Sequence, residues 1–129
     1  MYLDAAEPQL FDLEIHSDDR GQLSSLDFSK LPFEVKRIFN IQGNGAETVR
    51  GGHAHKKCWQ FLYSNGFGIK VDFQNLKSGG TFHLNFGSGL LVPPFNWVEV
   101  TFPEGAITVS VLASHSYDQN DYLYSKPGS

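Results

Sequence analysis

The chain has 129 residues, of which 40% are hydrophobic and 14% are aromatic, and it carries a formal net charge of −4. This length predicts a single domain spanning residues 1–129, built around one hydrophobic core. The charged residues form no clustered basic patch, so we expect no nucleic-acid partner. No apolar run approaches the roughly 20 residues of a membrane-spanning helix, so we expect no membrane partner either.

The cysteine content and the N-terminus bear on the cellular compartment. Cys58 is the single cysteine, so no internal disulfide can form, which fits a reducing compartment. The first residues, Met1 to Glu7, lack the basic start and the apolar core of a signal peptide. We therefore expect a cytoplasmic protein.

The first half of the chain alternates between apolar and polar residues, a pattern typical of β-strands. It predicts a strand at 11–15, a turn at 17–21 and a returning strand at 22–26. Two further strands are predicted at 35–41 and 59–63. The sequence Ser64-Asn65-Gly66, which follows the last of these, predicts a hairpin turn.

The second half continues in the same way, with strands predicted at 68–73, 81–86 and 107–113 and an apolar run at 90–100. No segment of ten or more residues has the apolar period of 3.6 that is typical of a helix. Roughly eight to ten short strands at near-regular spacing predict an all-β barrel or sandwich. We expect its core to span about 9–124 and the tail at 125–129 to be disordered.

Two histidines stand two positions apart in the stretch Arg50-Gly51-Gly52-His53-Ala54-His55-Lys56-Lys57. Alternate side chains of a strand share a face, so His53 and His55 point the same way. Arg50 has the opposite parity, but the two glycines permit a bulge that would re-aim it. Imidazoles titrate near neutral pH, and beside a positive charge they suit proton transfer on an anionic or carbonyl substrate. A metal site and a half-exposed surface strand are the alternatives.

The histidine stretch and a later segment, Gly89 to Trp97, resemble the two motifs of a cupin jelly roll. Metal-binding cupins take His-x-His and a Glu from the first motif and a His from the second. Here Gln60 stands near the position of the Glu, and Trp97-Val98 occupy the region of the second-motif His. An amide and an indole cannot replace a carboxylate and an imidazole as ligands. We therefore expect no metal and no cofactor.

A narrower resemblance covers roughly residues 9–124. The chain is similar to the cupin-type sugar-nucleotide 3,4-ketoisomerases that act on dTDP-4-keto-6-deoxyglucose. The residues that carry the similarity are Arg20-Gly21, Pro32-Phe33, Lys36-Arg37-Ile38, Arg50 to Lys57, Gln60, Val92-Pro93-Pro94, Trp97, Glu99, Val111 to Ser114, Tyr117-Asp118 and Asp121-Tyr122. The resemblance implies a single-domain cupin jelly roll and a dTDP-linked 4-keto-6-deoxyhexose as substrate. It also implies a homodimer, in which the N-terminal strands would be exchanged.

The same resemblance implies a metal-free proton shuttle. A base removes the C3 proton, and the resulting enediol is reprotonated at C4, so that ketone and hydroxyl exchange places. His53 and His55 match the functional histidines of the family, and we favour His55 as the shuttle and His53 as its partner. Arg50 and Arg37 are expected to bind the diphosphate, because a planar guanidinium pairs phosphate oxygens bidentately.

Aromatic and amide side chains complete the implied binding site. Tyr63 and Trp97 are expected to flank the thymine or the sugar ring. The family usually carries two tyrosines where this chain has Phe39 and Asn40, so a phenol is missing there. Asn40 can still hydrogen-bond an oxyanion, although it does not titrate. Tyr122 is the candidate that could take the place of the missing phenol.

The missing phenol keeps two alternatives open. One is a non-catalytic cupin that binds a dTDP-sugar. The other is a related 3,5-epimerase, which also removes a proton next to the 4-ketone but needs a base and an acid on opposite faces of the sugar. We find neither a clear His–Asp pair nor an acid tyrosine in the matching strand. For the isomerase, the resemblance implies a pathway to 3-amino-3,6-dideoxy sugars of surface glycans.

Overall fold

The computed structural model of the protein describes residues 1–128. Its strands are Gln9–Asp12 (β1), Glu14–Asp18 (β2), Gly21–Ser25 (β3), Arg37–Gln42 (β4), Thr48–His55 (β5), Gln60–Ser64 (β6), Ile69–Gln74 (β7), Gly79–Leu84 (β8), Ser88–Val92 (β9), Trp97–Phe102 (β10), Thr108–Ala113 (β11) and Tyr122–Leu123 (β12). Within the described residues, helical structure is confined to two short 3₁₀ turns, Phe28–Lys30 and Gln119–Asp121.

Ten of the strands form two five-stranded antiparallel sheets. The first sheet has the order β1-β9-β6-β11-β4 and the second has the order β12-β5-β10-β7-β8, while β2 and β3 pair only with each other. Strands that are neighbours in a sheet are mostly distant in the chain, and the two sheets face each other across a shared core. The predicted all-β jelly-roll class is confirmed.

The main core lies between the two sheets. Every second side chain of a strand points inward, and the inward positions of both sheets are aliphatic or aromatic. The fully buried examples include Leu90 and Val109 from the first sheet and Ile69, Val71 and Phe102 from the second. Burying one such side chain contributes about 1.5–3 kcal/mol, so this layer holds the sheets together.

A second cluster covers the outer face of the first sheet. Phe61, Leu91 and Leu112 point away from the main core and pack against Leu31 and partly buried residues of the segment 11–35. The central strands of the first sheet are therefore buried on both faces. This explains why its strands contain continuous apolar runs, such as Leu90 to Val92, rather than a strict alternation.

The strand predicted at 11–15 is interrupted at Leu13, which corrects that prediction. The backbone N–H of Leu13 donates to the carbonyl of Gly87 at 2.8 Å. Before this point β1 pairs with β9, and after it β2 pairs with β3. The alternation of apolar and polar residues continues across Leu13 without a break. It therefore could not predict that the chain changes its pairing partner there.

One predicted turn differs from the structure, and one apolar run contains a break between two strands. Ser64-Asn65-Gly66 does not close a hairpin, because β6 lies in the first sheet and β7 in the second. The apolar run 90–100 is divided at Pro93-Pro94 into β9 and β10, which again lie in different sheets. Proline lacks the N–H that a ladder requires. Both segments therefore carry the chain from one sheet to the other.

The C-terminal segment lies against the N-terminus. Pro127 is buried, and the hydroxyl of Tyr2 donates to the carbonyl of Ser125 at 2.7 Å. Residues 125–128 therefore contact the rest of the chain, Ser129 lies outside the described residues, and the disorder of the tail stays a prediction. Within residues 1–128, no helix combines the length and the apolar character needed to cross a bilayer.

Candidate active site

A β-bulge in β5 aims two side chains into the interior. Gly51-Gly52 have positive φ angles of 93° and 84°, a conformation that glycine adopts without strain. The register against β10 shifts at this point, so that His53 pairs with Val98 and Arg50 pairs with Val100. Both valines belong to the core between the sheets. The bulge that the glycines predicted is present, and it places Arg50 on the same face as His53.

An open cavity of about 300 Å³ lies between the two sheets at this end of the molecule. Its polar wall consists of Arg37, Arg50, His53, Gln60 and Tyr122. Its apolar wall includes Leu62, Val98, Val100 and Val111. A concave site with a few convergent polar groups on an apolar wall is the usual form of a small-molecule pocket.

His53 is the imidazole that borders this cavity. Burial, and secondly the charge that His55 can carry, lower the pKa of His53 from 6.5 to about 4. The backbone of Gly51 acts on this pKa in the opposite direction, but less strongly. At neutral pH His53 is therefore uncharged and keeps a nitrogen lone pair, which is the form that a general base requires.

His55 lies behind His53, with 9% of its surface exposed and a ring-centroid distance of 5.2 Å between the two imidazoles. Nδ1 of His55 is 3.1 Å from Oδ2 of Asp121, and its Nε2 is 3.3 Å from the amide nitrogen of Gln60. A carboxylate accepts and an amide nitrogen donates, so Nδ1 carries the proton. Burial lowers the pKa of His55 even though Asp121 favours the charged form. Both ring nitrogens are thus occupied by protein groups.

These contacts favour other roles for the two histidines than the ones we expected. His53 borders the cavity with a free nitrogen, whereas both nitrogens of His55 are bonded to Asp121 and Gln60. The geometry favours His53 as the proton shuttle and His55 as its support. A His–Asp pair does stand beside the cavity, but its carboxylate, Asp121, comes from outside the histidine strand.

Asp121 is the functional residue that sequence reasoning missed as a side-chain partner. Its Oδ1 accepts a hydrogen bond from the backbone N–H of Lys57 at 2.8 Å, and its Oδ2 accepts one from that of Cys58 at 3.2 Å. The carboxylate is therefore fixed by the turn that follows β5. The one available signal was its membership of the Asp121-Tyr122 pair in the family resemblance, because 66 positions separate it from His55.

Tyr122 packs on both imidazoles. Its ring centroid is 4.6 Å from that of His53 and 4.4 Å from that of His55. The pairing of β12 with the edge of β5, which sets Tyr122 opposite His55, brings this C-terminal residue to the cavity. Burial raises the pKa of Tyr122, so its phenol is protonated at neutral pH.

Arg37 and Arg50 reach the cavity from different sheets. The guanidinium carbon of Arg37 lies 4.5 Å from the ring centroid of Phe39 and 5.4 Å from that of Tyr117, so two aromatic rings hold it. Arg50 is exposed at the rim. Two guanidinium groups beside one opening suit a ligand with several phosphate oxygens.

Three predicted site residues have side chains directed elsewhere. Asn40 borders the cavity, but its Oδ1 accepts a hydrogen bond from the hydroxyl of Ser110 at 2.6 Å on the outer side of the first sheet. Tyr63 packs in the outer cluster. Trp97 is buried, and its indole N–H donates to the carbonyl of Tyr124 at 3.4 Å.

Strand alternation is the reason for these placements. The inward positions next to Asn40, Tyr63 and Trp97 are taken by their neighbours in the chain, which pack in or against the main core: Phe39, Leu62 and Val98. Successive side chains of a strand point to opposite faces. The predicted binding roles of these three residues therefore have no support in the positions of their side chains.

The donor set around the histidines does not suit a metal ion. Within residues 1–128, no group of three or more His, Cys, Asp or Glu side chains is arranged to bind one. The amide of Gln60 stands beside His55, and the inward position next to His53 on β10 is held by Val98. An amide and an aliphatic side chain leave the two imidazoles without the further ligands that a cupin metal needs.

The chain is similar to several known sugar-nucleotide enzymes. The chain is 35% identical over 109 residues to TDP-4-oxo-6-deoxy-alpha-D-glucose-3,4-oxoisomerase from Aneurinibacillus thermoaerophilus, covering 82% of this chain and 78% of that protein. The QdtA 3,4-ketoisomerase from Thermoanaerobacterium thermosaccharolyticum, a histidine-to-asparagine mutant in complex with TDP-4-keto-6-deoxyglucose, superposes with a TM-score of 0.85 at 26% identity, over 95% of this chain and 90% of that one.

A more distant structure shares the fold alone. The dTDP-4-dehydrorhamnose 3,5-epimerase from Bacillus anthracis has a TM-score of 0.81 at 14% identity, over 95% of this chain and 81% of that one. The family model described as "FdtA: WxcM-like, C-terminal" matches residues 6–127. Since this match spans nearly the whole described fold, the bulged histidine strand and Tyr122 included, the chain belongs to the FdtA, WxcM-like C-terminal family.

Proposed function

We propose that this chain is a sugar-nucleotide 3,4-ketoisomerase that converts dTDP-4-keto-6-deoxyglucose to a dTDP-3-keto-6-deoxyhexose. The observation that carries the proposal is the neutral imidazole of His53 on the wall of the cavity, with its pKa lowered to about 4. The identity of the substrate is inferred from the 35%-identical oxoisomerase and from the complex of the QdtA enzyme with TDP-4-keto-6-deoxyglucose.

His53 performs the carbon chemistry in this proposal. The C4 ketone makes the C3 proton acidic, and the lone pair of His53 accepts that proton. The same imidazole then protonates C4, so the ketone moves to C3. A base that is uncharged at neutral pH and sits against an apolar wall suits such a transfer. Nδ1 of His55 is hydrogen-bonded to Oδ2 of Asp121 at 3.1 Å, so the imidazole of His55 is held in place beside His53.

The arginines supply the charge that the nucleotide requires. Arg37 lies between two aromatic rings and Arg50 stands at the rim of the cavity. Two guanidinium forks pair the oxygens of a diphosphate and leave the sugar next to His53. The reaction proceeds without a metal, because the residues beside the histidines are Gln60 and Val98. Activity should persist after dialysis against a chelator, and its loss would contradict this part of the proposal.

One assay tests the function against its alternatives. The protein is incubated with dTDP-4-keto-6-deoxyglucose in deuterated water, and the sugar is followed by NMR. Deuterium at C4 together with a ketone at C3 is the expected result. Deuterium at C5 would instead identify a 3,5-epimerase. Saturable binding of TDP without any exchange would identify a non-catalytic sugar-nucleotide-binding protein.

We also propose that the protein is a homodimer. We place it in the cytoplasm, on a pathway to 3-amino-3,6-dideoxy sugars. The hairpin of β2 and β3 pairs with no other strand of the described chain, and large apolar side chains are exposed nearby: Ile15, Leu23, Phe28 and Ile38. Exchange of this hairpin with a second copy would cover them. Light scattering should give twice the mass of the chain, and the mass of a single chain would argue against the dimer.

A further inference from the structure

We infer that Tyr122 is a catalytic residue of this reaction, the group that gives a proton to the substrate oxygen at C4 and takes one from the oxygen at C3. This inference rests on the proposed isomerase function. It assigns to the chain a second proton carrier, distinct from His53, that serves oxygen rather than carbon.

Tyr122 lies close to His53 on the wall of the cavity. The centroids of the two rings are 4.6 Å apart, and both residues border the same cavity. A sugar whose C3 proton reaches His53 has its two oxygens within reach of the same wall, because O3 and O4 are attached to neighbouring carbons. Among the cavity-lining side chains of the described chain, Tyr122 has the one hydroxyl group.

Arg37 borders the same cavity as Tyr122, and its charge favours the ionised form of the phenol. Burial raises the pKa of Tyr122, so the proton is present at neutral pH, while the charge of Arg37 stabilises the phenolate once the proton has left.

The other polar groups beside the cavity cannot carry this proton. Both nitrogens of His55 are bonded within the protein. Gln60 ends in an amide, which does not titrate, and Asn40 directs its side chain to Ser110 on the outer side. Phe39, whose ring lies against Arg37 at 4.5 Å, has no hydroxyl.

The proton balance of the reaction requires such a group. When His53 removes the C3 proton, the electron pair of the C3–H bond forms the C3–C4 double bond and charge develops on O4, which takes the phenol proton of Tyr122. The enediol then loses the proton on O3 to the phenolate, the C3 ketone forms, and C4 takes the proton held by His53. Both residues return to their starting states. Nothing is oxidised or reduced overall, and no co-reactant is needed.

Tyr122→Phe is the first test, with Tyr124→Phe as its matched control. Tyr124 stacks on Tyr122 at 5.7 Å but is largely exposed and does not border the cavity. Loss of a general acid–base group lowers kcat by about 10²–10⁴-fold. We expect that loss for Tyr122→Phe with TDP affinity unchanged within about threefold, because the ring that packs on the imidazoles is kept. The control should retain the wild-type rate.

A second variant distinguishes proton transfer from a structural role. Difluorotyrosine at position 122 keeps the shape of the ring and lowers the pKa of the phenol. Since only the protonated phenol can donate, the alkaline limb of the kcat profile should move to lower pH by the change in phenol pKa. An unmoved limb, or a Tyr122→Phe rate within threefold of wild type, would overturn the inference and leave the isomerase function intact. Wild-type protein that does not isomerise the sugar would overturn the function itself.

Discussion

Nδ1 of His55 lies 3.1 Å from Oδ2 of Asp121, a buried pair formed by residues 66 positions apart in the chain. The carboxylate accepts hydrogen bonds from two backbone N–H groups as well, so it joins the end of β5 to the C-terminal segment. This pair fixes the imidazole that packs against the proposed shuttle, His53. Its removal should therefore affect both stability and activity.

Asp121→Asn tests the pair. One of the two carboxylate oxygens becomes an NH₂ group, which cannot accept a hydrogen bond. At least one of the three donors, which are Nδ1 of His55 and the backbone N–H groups of Lys57 and Cys58, then loses its acceptor. Leaving such a group unpaired costs about 1–3 kcal/mol of unfolding free energy, measurable by urea denaturation. Asp118→Asn is the control, because an asparagine oxygen can still accept from the N–H of Asn120 in an exposed turn. Equal stability of the two variants would contradict the buried role of Asp121.

The two histidines should respond differently to replacement by asparagine. His53→Asn removes the group that faces the cavity, so we expect exchange of the C3 proton to disappear while TDP affinity stays within a few-fold. His55→Asn removes a buried ring bonded at both nitrogens, so we expect the larger loss of thermal stability there. His83→Asn, on the exposed strand β8, should change neither quantity. Full exchange activity in His53→Asn would return the shuttle role to His55.

The acid limb of the pH profile should report His53. Because burial and the nearby His55 lower its pKa to about 4, the base form persists well below the usual histidine range. We expect kcat/KM to stay constant from pH 7 to about 5.5 and to fall by half near pH 4, provided that circular dichroism shows the fold intact. Half-loss near 6.5 would show instead that the imidazole is freely solvated.

Stability should depend on pH through the same residue. The unfolded chain binds a proton at an ordinary histidine pKa of about 6.5, whereas the folded chain does so only near 4. Between these values the unfolded state holds more protons, so unfolding free energy decreases as pH falls through this window. The decrease should be smaller in His53→Gln than in the wild type, as denaturation at pH 7 and pH 4.5 would reveal.

Gly51→Ala tests the bulge. A Cβ at Gly51 would lie 2.8 Å from the carbonyl oxygen of Val98, and φ is +93°. Gly45→Ala is a close control, because Gly45 has the same φ and no atom within 4 Å of its Cβ position. The backbone term of about 1–2 kcal/mol is common to both, so the additional loss in Gly51→Ala measures the contact. We also expect weaker TDP binding in Gly51→Ala, since Arg50 depends on the bulge.

The histidine strand shows how far local pattern alone can reach. Period-2 spacing places His53 and His55 on one face whatever the fold around them, and adjacent glycines permit a bulge whatever its partner strand. The absence of carboxylate and imidazole ligands at Gln60 and Trp97-Val98 is likewise a matter of residue identity. None of these conclusions needed a tertiary contact, and the shared face and the bulge agree with the structure.

The pairing of strands in the sheets was needed to decide which side chains face the cavity. Tyr63 and Trp97 lie in strands that are apolar on both sides, so pattern did not indicate which face meets the cavity. Pairing of β6 with β11 and of β10 with β7 decides it, and both aromatic rings point outward. Asn40 follows the same rule, because its register opposite Ser110 leaves Phe39 as the inward residue.

By itself, the sequence determined the all-β class, the shared face of His53 and His55, and the lack of a cupin ligand set, because these follow from spacing and residue chemistry along short segments. Tertiary structure alone decided that His53 borders the cavity, that Asp121 holds His55, and that Tyr122 covers both rings. Those relationships depend on β12 joining the edge of β5 across more than half the chain. Side-chain pattern within either segment carries no information about that pairing.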